Sequence, residues 1–227
     1  MKITSSNLMR LAGLSAMVAG AIFAGIQPIH PPDVVESVTT GAWAIIMPLK
    51  TAMCLLFLIG ITGLYARQVE EAGWLGLAGY IVLILCWWLQ SAYVFAETFI
   101  LPHSAPPFVE SFLGIASGNP GEMNIEPLPA IYSLGIGIPY MLGGLLFGIA
   151  TLRAGILPRW AAGLLAVAAA LTPAAALLPH DIQRLAAIPV GLAVAWLGYA
   201  LWSERRARAS NPAPGGGSPQ LRRTAGE

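Results

Sequence analysis

The stretch AIIMPLKTAMCLLFLIGITGLY, residues 44–65, decides the class of fold. It is apolar over more than the roughly 20 residues that an α-helix needs to cross about 30 Å of hydrocarbon. Its single charge is Lys50, about a third of the way in. The rest of the chain agrees: 56% of its 227 residues are hydrophobic and 10% charged, with a mean hydropathy of +0.70. Soluble domains are about 25% charged, and the alternating pattern of a membrane β-barrel is missing. The expected class is therefore an all-α, polytopic membrane protein whose first partner is the lipid bilayer. A net charge of +1, with no basic stripe interleaved with aromatic residues outside the C-terminal tail, gives no reason to expect nucleic acid.

Six apolar spans can be drawn, at residues 8–27, 42–65, 74–99, 128–152, 160–178 and 185–203. The segments between them are rich in Pro, Gly or charge, as breakers between helices should be. The spacing predicts a six-transmembrane-helix bundle over residues 1–203. The segment 204–227, ERRARASNPAPGGGSPQLRRTAGE, has almost nothing apolar to bury and reads as a disordered cytoplasmic tail. Of the 12 Lys and Arg residues, only Lys50 and Arg184 fall on the side opposite the termini, so both termini are expected in the cytoplasm of a plasma-membrane protein. Trp74, Trp160 and Trp202 fall at inner span ends and Trp43 at an outer one, where amphipathic rings prefer to lie. The first span also reads as a signal peptide, with MKITSSNLMR as basic n-region and AGA at 19–21 as cleavage site. Its apolar run exceeds the roughly 7–15 residues of a signal h-region, which favours a retained helix.

In the long outer loop, SAPPFVESFLGIASG predicts a short interfacial helix, with Ser104 as N-cap and a stop at Gly118. Phe108, Phe112 and Ile115 share one face, and Glu110, Ser111 and Ser117 lie away from it. Ala16, Gly20 and Ala24, Gly144 and Gly148, and Gly76 and Gly79 mark helix faces that can approach closely. Pro139, Pro173 and Pro189 interrupt the last three spans; no ionisable residue stands beside them in sequence, so packing kinks are expected. Cys54 and Cys86 lie inside apolar runs, where a thiol behaves as a small buried hydrophobe.

The inner hairpins GITGLYARQVEEAGWLGLAGY and ATLRAGILPRWAAGLLAV, each a basic turn followed by a Trp, together with the acidic AETFILP that ends the third span, resemble a family of uncharacterised bacterial six-helix integral membrane proteins, known as a domain of unknown function. The resemblance covers most of residues 8–203. It implies a six-helix fold in the bacterial inner membrane and carries no catalytic residues with it.

Lys50 follows about eight residues of its span, which at 1.5 Å per residue places its Cα roughly 12 Å deep. A lysine stem recovers about half of that by snorkelling. What remains costs at most about 2.5–3.5 kcal/mol, so a partner is favoured. Cys86, Gln90, Tyr93 and Glu97, spaced by four, three and four residues, form one stripe in an otherwise apolar third span. Glu97 at its outer end and Gln90 further in are the expected partners of Lys50. Three readings stay open: a structural clasp, a polar ligand pocket open to the outside, and an unpaired snorkelling lysine.

His30, His103 and His180 all fall in outer segments near Asp33, Glu97 and Asp181, and imidazole with carboxylate is a zinc-type ligand set. No helical H-x-x-x-H spacing, G-x-S-x-G elbow or phosphate-cradling glycine loop is present, so no cofactor, metal site or catalytic residue is assigned. The expected role is non-enzymatic: binding or passing a small-molecule ligand, or supporting a partner. The alternative is a metal-dependent membrane hydrolase with an outer-face site of His103, His180 and acidic neighbours.

Overall fold

The computed structural model describes residues 4–118, 121–175, 177–178 and 180–210, without the side chains of 180, 181 and 205–210. Among these residues all regular structure is helical. Helix α1, Ser5–Ile26, opens on Thr4, whose hydroxyl accepts from Asn7 N at 3.2 Å, so one otherwise orphaned amide of the first turn is satisfied. Helix α2, Gly41–Arg67, opens in the same way on Thr40, which accepts from Trp43 N at 3.3 Å. Between them a loop with two short 3-10 turns, Gln27–Ile29 and Val35–Thr39, crosses one end of the bundle.

Helix α3, Val69–Phe99, is broken near its start by Gly73 at φ 56°, a left-handed conformation that glycine adopts without steric cost. The chain re-enters the helix at Trp74, the residue at which the third span was expected to begin. Helix α4, Pro106–Ser117, stops at Gly118 in the left-handed conformation, as expected. Its N-cap is Ala105 rather than Ser104, whose hydroxyl points back and donates to Ile100 O at 2.9 Å. Ser111 also differs from its expected place: it is fully buried and accepts from Met123 N at 3.1 Å, so the loop after α4 folds back over that side of the helix.

The fourth span comprises α5, Leu128–Tyr132, a π-helical turn, Ser133–Gly137, and α6, Ile138–Ala154. After it come α7, Arg159–Ala170, α8, Thr172–Ala175, α9, His180–Gln183, a 3-10 turn, Arg184–Ala187, and α10, Ile188–Ser210. Among the described residues five helical stretches are long and apolar enough to cross a membrane: Ser5–Ile29, Gly41–Arg67, Val69–His103, Leu128–Ala154 and Arg184–Glu204. Among its described residues the remaining expected span, 160–178, holds the 12-residue α7 and the short α8. Pro173 has no N–H to donate to Ala169 O and its ring crowds that carbonyl, so the helix breaks there. At the other end of the last span the helix continues past residue 203 to Ser210, while 211–227 of the expected tail lies outside the described residues.

The bundle is held by small-residue seams. A Cβ added to Gly20 of α1 would lie 2.4 Å from Gly191 O of α10, so those two backbones touch, and Ala16 of α1 sits with no exposed surface beneath Gly60 of α2. Gly148 of α6 meets Ala166 of α7 equally closely, and Gly79 of α3 meets the backbone of Phe147. Where lipid supplies no hydrophobic drive between helices, such close approach gives the van der Waals contact that associates them. Outward-facing side chains such as Ile45 and Trp88 are 69% and 60% exposed, an apolar surface suited to lipid. At the end of the bundle that carries Arg67, this side chain donates to both carboxylate oxygens of Glu204, at 3.1 and 2.7 Å, and fastens α2 to α10.

Candidate functional site

The end of the bundle opposite Arg67 carries a partly open cavity of about 750 Å³. Its floor is aromatic, of Phe23, Trp87 and Tyr140: Trp87 of α3 stacks at 3.8 Å between centroids on the fully buried Phe57 of α2 behind it, Phe23 of α1 meets both rings edge-on, and Tyr140 of α6 stands beside Trp87. Its rim is charged. The four residues of the α3 stripe, Cys86, Gln90, Tyr93 and Glu97, all line it, because their spacing keeps them on one face of the helix.

Lys50 of α2 reaches the last of these: its Nζ donates to Glu97 Oε2 at 2.7 Å, with side chains only 11% and 5% exposed. Gln90 lines the cavity and makes no hydrogen bond among the described residues. Tyr93 is engaged elsewhere, donating from its hydroxyl to Phe112 O at 3.1 Å and stacking on Phe112 at 4.6 Å, so it docks α4 against α3. Trp43 secures the same corner by donating its indole N–H to Glu97 O at 2.9 Å.

Two further residues enter the site that were not expected beside Lys50. His30, on the loop after α1, presents Nε2 to Lys50 Nζ at 3.1 Å. Its Nδ1 stands 2.7 Å from Pro31 O, which can only accept, so the ring proton lies on Nδ1 and Nε2 accepts from the ammonium. Arg184, on the 3-10 turn before α10, lies against the same imidazole, donates to Pro31 O at 3.2 Å and pairs with Asp33. The result is one chain of side chains: Asp33, Arg184, His30, Lys50, Glu97. Burial pushes the His30 imidazole down from its usual 6.5 to about 3, helped by the neighbouring Lys50 and Arg184 cations. His30 is thus neutral at physiological pH, and the cavity lining holds two cations against two carboxylates.

The cavity is also where backbone regularity fails. The π-helical turn Ser133–Gly137 contributes Ser133, Ile136 and Gly137 to its wall, and the broken segment after α7 contributes Thr172, Pro173, Ala175 and Arg184. Side chains take up carbonyls in both regions. Cys86 Sγ donates to Ile136 O at 3.5 Å, Thr172 Oγ1 to Ala168 O at 3.3 Å and Gln183 Nε2 to Leu178 O at 2.7 Å. Irregular backbone at membrane depth is tolerated where it is buried in protein or lines a cavity.

The histidines do not come together as a metal site among the described residues. No group of three or more His, Cys, Asp or Glu side chains is placed to hold an ion. His103 is exposed after α3 and does not line the cavity, and the side chain of His180 lies outside the described part of the chain. Cys54 and Cys86 are both free and buried. No protein-family model, curated protein or solved structure matches the chain.

Proposed function

We propose that this chain is an integral membrane protein that binds a small ligand in the cavity between α1, α2, α3 and the two irregular segments, in a non-enzymatic role such as carrying the ligand or presenting it to a partner. The observation that carries the reading is convergence. The π-helical turn, the break at Pro173 and the embedded Lys50–Glu97 pair all line one cavity of about 750 Å³, a volume in the roughly 300–1,000 Å³ range of ligand pockets. Each of the three costs stability in a membrane, and one binding site gives all of them a use.

In this reading the chain crosses the membrane six times, with α7, the break at Pro173 and α8 as a discontinuous crossing, as in the family of bacterial six-helix proteins that it resembles. Lys50 and Glu97 form the outer rim of the cavity, α4 lies at the outer interface beside its mouth, and both termini are cytoplasmic. The reading as a metal-dependent hydrolase draws no support from the ligand geometry among the described residues.

The test is native mass spectrometry of the full chain released from lipid nanodiscs. A bound mass of a few hundred daltons is expected on the wild type, and its loss on Ala187→Phe, which fills the cavity from the turn that carries Arg184. The same mass on both, or none on the wild type after gentle release, would remove the binding reading.

A further inference from the structure

We infer that the cavity selects an uncharged amphiphile: a polar head with a hydrogen-bond acceptor, such as a carbonyl or ester oxygen, on an apolar body. This rests on the cavity being a ligand site and names what it takes. The acidic and basic side chains that line the cavity are Asp33, Arg184, His30, Lys50 and Glu97, and His30 is neutral between its two cationic neighbours. Lys50 is matched by Glu97 at 2.7 Å and Arg184 by Asp33, so the lining is balanced before any ligand arrives. A ligand with a net charge would add a buried ion without a counter-ion, which a low-dielectric site penalises strongly. A zwitterion gains little, since it must break two formed pairs to make two others.

Hydrogen-bonding capacity remains after the pairs are formed. An ammonium has three N–H donors, and Lys50 directs one to Glu97 and one to His30, which leaves the third for the cavity. Gln90, whose amide makes no hydrogen bond among the described residues, adds two donors and an acceptor on the same wall. Gln27 donates to Phe23 O at 2.7 Å and keeps its own amide oxygen as an acceptor. The N–H groups that Lys50 and Gln90 keep for the cavity suit a head that accepts. Below the rim the wall is mostly apolar, through Met53, Ile136, Trp87 and Phe23, which suits a ring or alkyl body, and the Tyr140 hydroxyl, buried without a partner among the described residues, is a single polar point there.

The experiment uses the full chain in lipid nanodiscs and three photoreactive dodecyl diazirine probes that differ only in head group: methyl ketone, sulfonate and trimethylammonium. The readout is labelling of the cavity-wall residues Met53, Cys86 and Ile136, relative to the outward face of α3 at Ile81, Leu85 and Trp88, by peptide mass spectrometry. The ketone should label the wall at least about tenfold more than either charged probe, the equivalent of about 1.4 kcal/mol in affinity, and excess unlabelled ketone should compete it away. Glu97→Gln leaves Lys50 without its counter-ion and should shift the preference to the sulfonate; Asp33→Asn, which frees Arg184 in the same sense, should do likewise and serves if the first variant does not fold. Wall labelling in the wild type that favours either charged probe, or is equal for all three, overturns the selectivity and leaves the cavity reading standing. No wall labelling above the lipid-facing background by any probe overturns both.

Discussion

Lys50 donates to Glu97 at 2.7 Å and to His30 at 3.1 Å, and the Lys50 and Glu97 side chains are both largely buried. Lys50→Met and Glu97→Gln each leave one buried ion unmatched and should each lower stability in detergent by about 3 kcal/mol, whereas the double change leaves neither and should return to within about 1 kcal/mol of wild type. Additive costs would show that the two groups do not interact. His30 gives a pH signature. Burial and its two cationic neighbours hold its imidazole at about 3 against 6.5 in the unfolded chain, so below pH 6.5 the unfolded state binds a proton that the folded state refuses. Stability should therefore fall with falling pH between about 6.5 and 3, by up to about 1.4 kcal/mol per unit. His30→Gln should flatten the difference between pH 7 and pH 5 in thermal unfolding; parallel curves for variant and wild type would contradict the placement of the ring. The Lys50–Glu97 contact was legible from the sequence because the i, i+3, i+4 stripe on the third span fixes which face Glu97 occupies, and a short hairpin brings α2 beside α3. His30 and Arg184 were not, since they come from loops after the first and before the last helix, 154 positions apart, and no local period links them.

Among the helices, the α1–α10 seam is the tightest kind of contact that two backbones can make. A methyl group at Gly191 would lie 2.7 Å from Gly20 O, so Gly191→Ala must push the helices apart and should cost about 1–3 kcal/mol, read as a lower unfolding temperature in detergent. A variant as stable as wild type would mean that the seam is looser than described. The small-residue pattern on α1 pointed to this face, and hydropathy alone placed five of the long helices to within a few residues. The sequence was less informative about where helices fail. The π-helical turn at Ser133–Gly137 precedes Pro139, which has no N–H to donate to Gly135 O; the sequence announces an interruption there but not its π-helical form, nor the Cys86 thiol that donates to Ile136 O. Pro173 was visible as an interruption, yet the ionisable groups that share its cavity, Lys50 and Glu97, lie more than 70 positions away in the chain, so inspecting its sequence neighbours suggested only a kink.

Across the whole molecule, polarity is divided between the two ends: Asp33, Lys50, Glu97 and Arg184 at the cavity, and Arg67 with Glu204 at the other. The excess of Arg and Lys at the second end predicts that it is cytoplasmic. Ser210→Cys should be labelled by a membrane-impermeant maleimide only after cells are opened, and labelling in intact cells would reverse the orientation. The cavity itself is the claim on which the account turns, and a density map of the full chain in lipid nanodiscs, at a resolution that shows side chains, tests it most directly. The expected map shows Lys50 paired with Glu97, the π-helical turn in place with the Cys86 thiol on Ile136 O, and elongated density in the cavity with one end at Lys50 and Gln90 and the other over Trp87. A continuous α-helix through residues 133–137, packed on α3 with the space closed and Lys50 turned out to the head groups, would contradict it.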